Sequence, residues 1–182
     1  MNSTSLQTLL VSNAQIDTSI FQIHGDLDGG QPIDFDTREQ VIGVTIGQEE
    51  FFLPLKAIQE ITMVPAITFV PNADPYIDGI TNLRGSLIPV INVRKLMGFS
   101  RGTRSSEERL LVLKEGHVIF ALVVDGISDV VGLRPNEIDT PPSTSGAALD
   151  FMPRVSKQGE IIRGILDAAR ILKYVVGESL AP

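Results

Sequence analysis

From Gln40 onward the chain is written in short aliphatic runs, none longer than the seven residues Val118 to Val124, and each is stopped by Gly, Pro or a polar residue. Runs of this length match strands, and they fall far short of the ~20 residues a membrane helix needs. The apolar share is 43% but aromatics are only 5% and tryptophan is absent, so the core is built from Ile, Val and Leu. β-Branched side chains pack well on a pleated surface, which favours sheets. "VIGVTIG" is followed by a Gly47-Gln48 turn and "EEFFLPL", then by "IQEITMV" and by "ITFV" before Pro71. Asp78 to Gly98 reads as a strand, a tight joint and a second strand. "RLLVLKEGHVIFALVVDGI" reads as a hairpin with Lys114 to His117 at its tip, and "SDVVGL" follows. Many short strands punctuated by Gly and Pro predict a mainly-β barrel or sandwich rather than alternating βαβ units.

Helix signals are few. Pro75 to Asp78 has room for a single turn, and Leu166 to Val175 has apolar residues near helical spacing with Asp167 in its first turn. Between Arg134 and Pro153 the Pro-, Ser- and Gly-rich text predicts a loop that rejoins the fold at "GEIIRGILD". Residues 1–38 mix turn formers, acids and isolated apolar residues and predict a flexible acidic arm, in which Leu6, Leu9 and Leu10 permit a short helix.

The formal charge of −7 is concentrated in that arm: up to Glu39, six acids face Arg38 alone, and the remainder is nearly balanced. No clustered basic field exists to neutralise phosphates, so nucleic acid is excluded as a partner. Cysteine is absent, which removes disulfides and thiolate chemistry and fits a reducing compartment. The amino-terminus carries neither a basic n-region nor a long apolar segment, so a soluble cytoplasmic protein without direct membrane insertion is expected. No glycine-rich phosphate cradle of either common type occurs. His117 sits at a hairpin tip and His24 in the acidic arm, where His24, Asp26 and Asp28 are better read as a solvated linker than as a metal site. Asp125 and Asp129 flank a glycine break and read as turn caps. No nucleophile, base and oxyanion site assemble, so no catalytic residue, cofactor or metal is assigned.

One stretch is more specific. "NADPYIDGITNLRGSLIPVINVRKLMG" (Asn72 to Gly98), with "FFLPLKAIQEI" upstream and "VVDGISDVVGL" downstream, resembles the signature of the CheW family of bacterial chemotaxis adaptors over about residues 40 to 176. The resemblance implies two packed, five-stranded SH3-like β-barrels with a short C-terminal helix, as a CheW-like domain over 39–178 and a tail at 179–182. It implies a non-enzymatic scaffold that couples the cytoplasmic tips of chemoreceptors to the regulatory domain of a CheA-type histidine kinase, recruited to membrane-associated receptor arrays. A pathway driving pili or gliding instead of swimming is the alternative within the family. A small-molecule-binding sensory module is the alternative outside it. The length leaves no room after residue 182 for the receiver domain of the CheV type.

The positions expected to meet partners are Ile58, Glu60, Gly79, Asn82, Leu83, Arg84 and Gly85. Arg84 is expected near the joint between the barrels. Glu60, the only acid between Glu50 and Asp74, is expected to pair with Arg84 and orient its guanidinium. Ile58 and Gly79 are expected at exposed apolar surface.

Overall fold

The computed structural model describes residues 38–99, 105–141 and 150–177; the acidic arm, with His24, and the 179–182 tail lie outside them. Within the described residues the strands are β1 (Glu39–Ile46), β2 (Glu49–Pro54), β3 (Ile58–Met63), β4 (Ile77–Leu83), β5 (Ser86–Asn92), β6 (Arg109–Glu115), β7 (Val118–Val124), β8 (Gly126–Leu133), β9 (Ile138–Asp139), β10 (Arg154–Gln158) and β11 (Ile161–Ile165), with short helices α1 (Val93–Leu96) and α2 (Ala168–Val176). They form a six-stranded sheet in the order β8-β1-β2-β11-β10-β9 and a five-stranded sheet in the order β3-β6-β7-β5-β4. The mainly-β reading with a late helix holds; the six-stranded sheet exceeds the expected five by the two-residue β9.

Both sheets are covered on both faces, which explains the uninterrupted apolar runs. In β6, Leu111 and Leu113 face the core between the sheets with Phe120, Leu122 and Val124 of β7. Their neighbours Leu110, Val112, Ala121 and Val123 fill a second core with Ile88 and Val90 of β5. A third, around Val41, Phe52, Leu133 and Ile165, lies on the other face of the six-stranded sheet. The period of two survives, but both of its phases are apolar.

The five-stranded sheet curls until its edges meet. Past β3, the Thr68 N–H and carbonyl bond the Ile80 carbonyl and N–H at 2.8 and 2.9 Å, and Thr81 Oγ1 donates to the Ala66 carbonyl at 2.9 Å. "ITFV" thus supplies a single bridge rather than a strand. Pro75 and Tyr76 form a turn closed by Ile77 N–H to the Asp74 carbonyl, and Ile77 and Asp78 already belong to β4, so no helical turn forms there. The late helix starts at Ala168, two residues after the expected Leu166, because the Asp167 side chain caps it by accepting from Arg170 N–H at 3.0 Å.

Two further elements depart from the sequence reading. "RVSKQ" forms β10 and pairs with β11 from Arg154 opposite Ile165 to Gln158 opposite Ile161, so the chain rejoins the sheet earlier than its polar text suggests. Val93 to Leu96 turns helical at once after β5, where Asn92 Oδ1 accepts from Lys95 N–H at 3.1 Å.

Candidate partner-binding site

β4 and β5 pair from Ile77 opposite Ile91 to Leu83 opposite Ser86, leaving Arg84 and Gly85 as a two-residue turn. Both have positive φ, +51° at Arg84 and +88° at Gly85. That is the type I′ hairpin turn, whose twist matches the strands and which favours Asn-Gly because a Cβ is unwelcome in the left-handed region. Asn82 Oδ1 braces the turn by accepting from Gly85 N–H at 2.9 Å. Arginine thus occupies a position that local conformation would give to asparagine.

The guanidinium is held across the mouth of the curled sheet. Arg84 Nη2 lies 3.0 Å from Glu60 Oε1, joining β4 at one edge of the sheet to β3 at the other, with the Arg84 side chain 64% exposed and that of Glu60 26% exposed. The expected pair is present, and its exposure limits its worth to under about 1 kcal/mol. A bulge in β3 makes it possible. Ile58 and Ile61 pack on the inter-sheet core three residues apart, and the register shift between Ile58 and Glu60 turns Glu60 to the opposite face.

The expected site divides into a cluster and two outliers. Asn82, Leu83, Arg84 and Gly85 come together at the hairpin tip with Glu60. Leu83 packs on the inner core of its own sheet, and the Glu60–Arg84 pair spans the edges of that same sheet. The pair therefore closes one sheet across its own two edges. Ile58 is half-buried against the inter-sheet core.

Gly79 departs from the expectation. It is buried, with φ of +141°, and a Cβ built on it would stand 2.1 Å from the Thr68 carbonyl oxygen. Its lack of a side chain lets the closing segment lie against β4. It is a packing position and offers no exposed apolar surface.

Leu87 was missed. Ile88 and Val90 point inward, so strand alternation sends Leu87 out, where it is 68% exposed opposite Asn82. The period of two carried that signal.

The base of the hairpin is fixed separately. A register shift between Ile77 and Gly79 makes Asp78 the extra residue of a bulge and re-aims its carboxylate. It accepts from Lys95 Nζ at 2.6 Å and from Asn92 Nδ2 at 3.0 Å. The tip therefore stands on a hairpin held at both ends.

Other candidate residues fall elsewhere. His117 is exposed in the β6–β7 turn and Asp129 is exposed on β8. Asp125 accepts from the N–H of Gly47, a turn distant in sequence, and from Arg94. Among the described residues no group of three His, Cys, Asp or Glu is placed to hold a metal ion, and no helix is long and apolar enough to cross a membrane.

The comparisons with known proteins agree with this architecture. The chain is 29% identical over 145 residues to the chemotaxis protein CheW of Helicobacter pylori, covering 80% of this chain and 88% of that one. It is 30% identical over 131 residues to chemotaxis protein CheW of Klebsiella aerogenes, covering 70% and 78%. The crystal structure of the scaffolding protein TtCheW from Thermoanaerobacter tengcongensis superposes with a TM-score of 0.67 at 25% identity, over 71% of this chain and 89% of that one. A family model described as the CheW-like domain matches residues 40–176, and the chain belongs to that family.

Proposed function

We propose that this protein is a non-enzymatic adaptor that couples the cytoplasmic tip of a chemoreceptor to the regulatory domain of a CheA-type histidine kinase. Membership of the family, whose relatives are chemotaxis and scaffolding proteins, supports this reading. The observation that carries it is Arg84. A long cationic side chain is kept in a left-handed turn position at a cost of about 1 kcal/mol or more, and its pairing with Glu60 is too exposed to recover much of that. Strain held at an exposed tip argues for use there. A guanidinium presents a rigid fork of donors suited to carboxylates and carbonyls of another protein, and Leu87 beside it adds apolar area.

On this reading Glu60, Asn82, Leu83, Arg84 and Gly85 form the partner-facing tip, and the protein works in the cytoplasm at receptor arrays. The test is co-sedimentation of the full chain with receptor-bearing vesicles and a CheA-type kinase. Recovery with each partner alone, and of kinase with vesicles only when the adaptor is present, is the expected result. Failure to bind either partner would overturn the reading.

A further inference from the structure

The chain passes from one sheet to the other through Asp125, with β7 ending at Val124 and β8 beginning at Gly126. A one-residue crossing leaves two soft backbone dihedrals to set the direction of everything that follows. Here those dihedrals are tied down. The Asp125 N–H bonds the Thr45 carbonyl of β1 at 2.9 Å. Its Oδ2 accepts from Gly47 N–H in the β1–β2 turn at 2.5 Å and from Arg94 Nη2, on α1 after β5, at 2.5 Å. One carboxylate oxygen thus joins a turn of the six-stranded sheet to a helix attached to the five-stranded sheet.

A second contact closes over the same place. Phe99, just past α1, has its N–H bonded to the Arg94 carbonyl at 2.9 Å. Its ring lies edge-on to Phe51 of β2 with centroids 6.3 Å apart, and a Cβ on Gly47 would come within 3.3 Å of it. The aliphatic core between the sheets supplies most of their cohesion, but it is non-directional. Charge-assisted bonds between half-buried groups are directional, and the Asp125 and Arg94 side chains are only 23% and 20% exposed.

We propose that Asp125 and Arg94 are a positioning pair that fixes the angle between the two sheets, so that surfaces on each are presented to two partners in a single register. The functional half of this inference rests on the adaptor reading; the structural half does not. A scaffold that engages two partners of one array turns the second contact into an intramolecular one, whose strength depends on geometry and vanishes when the geometry is wrong. Loosening the pair leaves each separate binding surface intact and removes their register.

The absence of cysteine makes the test direct. Cysteines replacing His117 and Glu160, in exposed turns of the two sheets, carry spin labels for pulsed distance measurement in the full chain. Asp125→Asn keeps an acceptor for Gly47 but loses the charge; Arg94→Met removes the donor; Arg94→Lys restores a cation. The first two should broaden the inter-label distribution and Arg94→Lys should narrow it again. Joint recovery of kinase and receptor should fall about tenfold or more, with each single affinity unchanged. An unchanged distribution in folded Arg94→Met, or in Asp125→Asn should Arg94→Met not fold, would overturn the proposal. So would losses of both single affinities that track the melting temperature, since these mark a purely structural contact. Should the unaltered chain bind neither partner, the adaptor reading fails while the distance distributions still decide the role of the pair.

Discussion

Arg84 is the residue at which local conformation and chemistry pull apart. Replacing it with asparagine suits a left-handed turn position beside Gly85 and forfeits an exposed ion pair worth under about 1 kcal/mol. Arg84→Asn should therefore melt at or slightly above the parent temperature, by up to ~3 °C, since about 1 kcal/mol moves a chain of this size by that much. Gly79 is the reverse case. With its Cβ meeting the Thr68 carbonyl at 2.1 Å and its φ at +141°, Gly79→Ala should destabilise by about 2 kcal/mol or more, measured by urea unfolding. A stable Gly79→Ala variant would show that the closing segment shifts freely. Glu50 sets a pH limb. Its carboxyl is held below the ordinary glutamate range, first by the bond from Ser128 Oγ at 2.6 Å and then by Arg163 Nε at 2.6 Å. Glu39 is lowered likewise by the two-bond fork of Arg154. A carboxylate whose folded pKa is depressed gives stability that is full above its unfolded value and is lost as the pH falls through the folded one. Stability should thus decline as the pH drops below about 4.5, and Glu50→Gln should flatten that decline while costing about 1 kcal/mol at pH 7. Equal acid limbs in parent and variant would show that other groups dominate.

At the scale of elements, strands were legible where length and punctuation marked them and illegible where tertiary burial decided. "VIFALVV" has no polar face, so its period is hidden, yet its seven residues between turn formers still specify β7. β10 is illegible in the sequence because its text is polar; it is held by pairing with β11 and β9 and by burial of Val155. α1 was masked by the apolar text running into it, although Asn92 as cap and Gly98 at φ +77° are ordinary start and stop signals. The Glu60–Arg84 pair could be foreseen because one acid and one arginine stood near strands able to share an edge. The burial of Gly79 could not, since it depends on a segment eleven residues earlier folding back over β4. The bulges at Gln59 and Asp78 each shift a carboxylate to the face where its cation waits, and no single-strand pattern announces them. Deleting Gln59 should remove the bulge yet leave Glu60 directly after Ile58, hence on the opposite face as now, so the coupling energy between Glu60 and Arg84 in a double-mutant cycle should survive; its loss would contradict the assignment.

From Glu39 onward the described residues form two sheets, each covered on both faces, sharing an aliphatic core and linked through Asp125. One of them carries at its end a braced hairpin with an exposed arginine. This division lets the packed sheets present chemistry at a hairpin tip without exposing their core, as a scaffold requires. The adaptor reading requires that the Arg84 tip serve a partner and not the fold. The most direct measurement sets thermal unfolding of Arg84→Asn beside its co-sedimentation with receptor vesicles and kinase. Arg84→Asn should keep a melting temperature equal to or above the parent's and lose recovery in the pellet. Undiminished recovery of both partners by Arg84→Asn would contradict it.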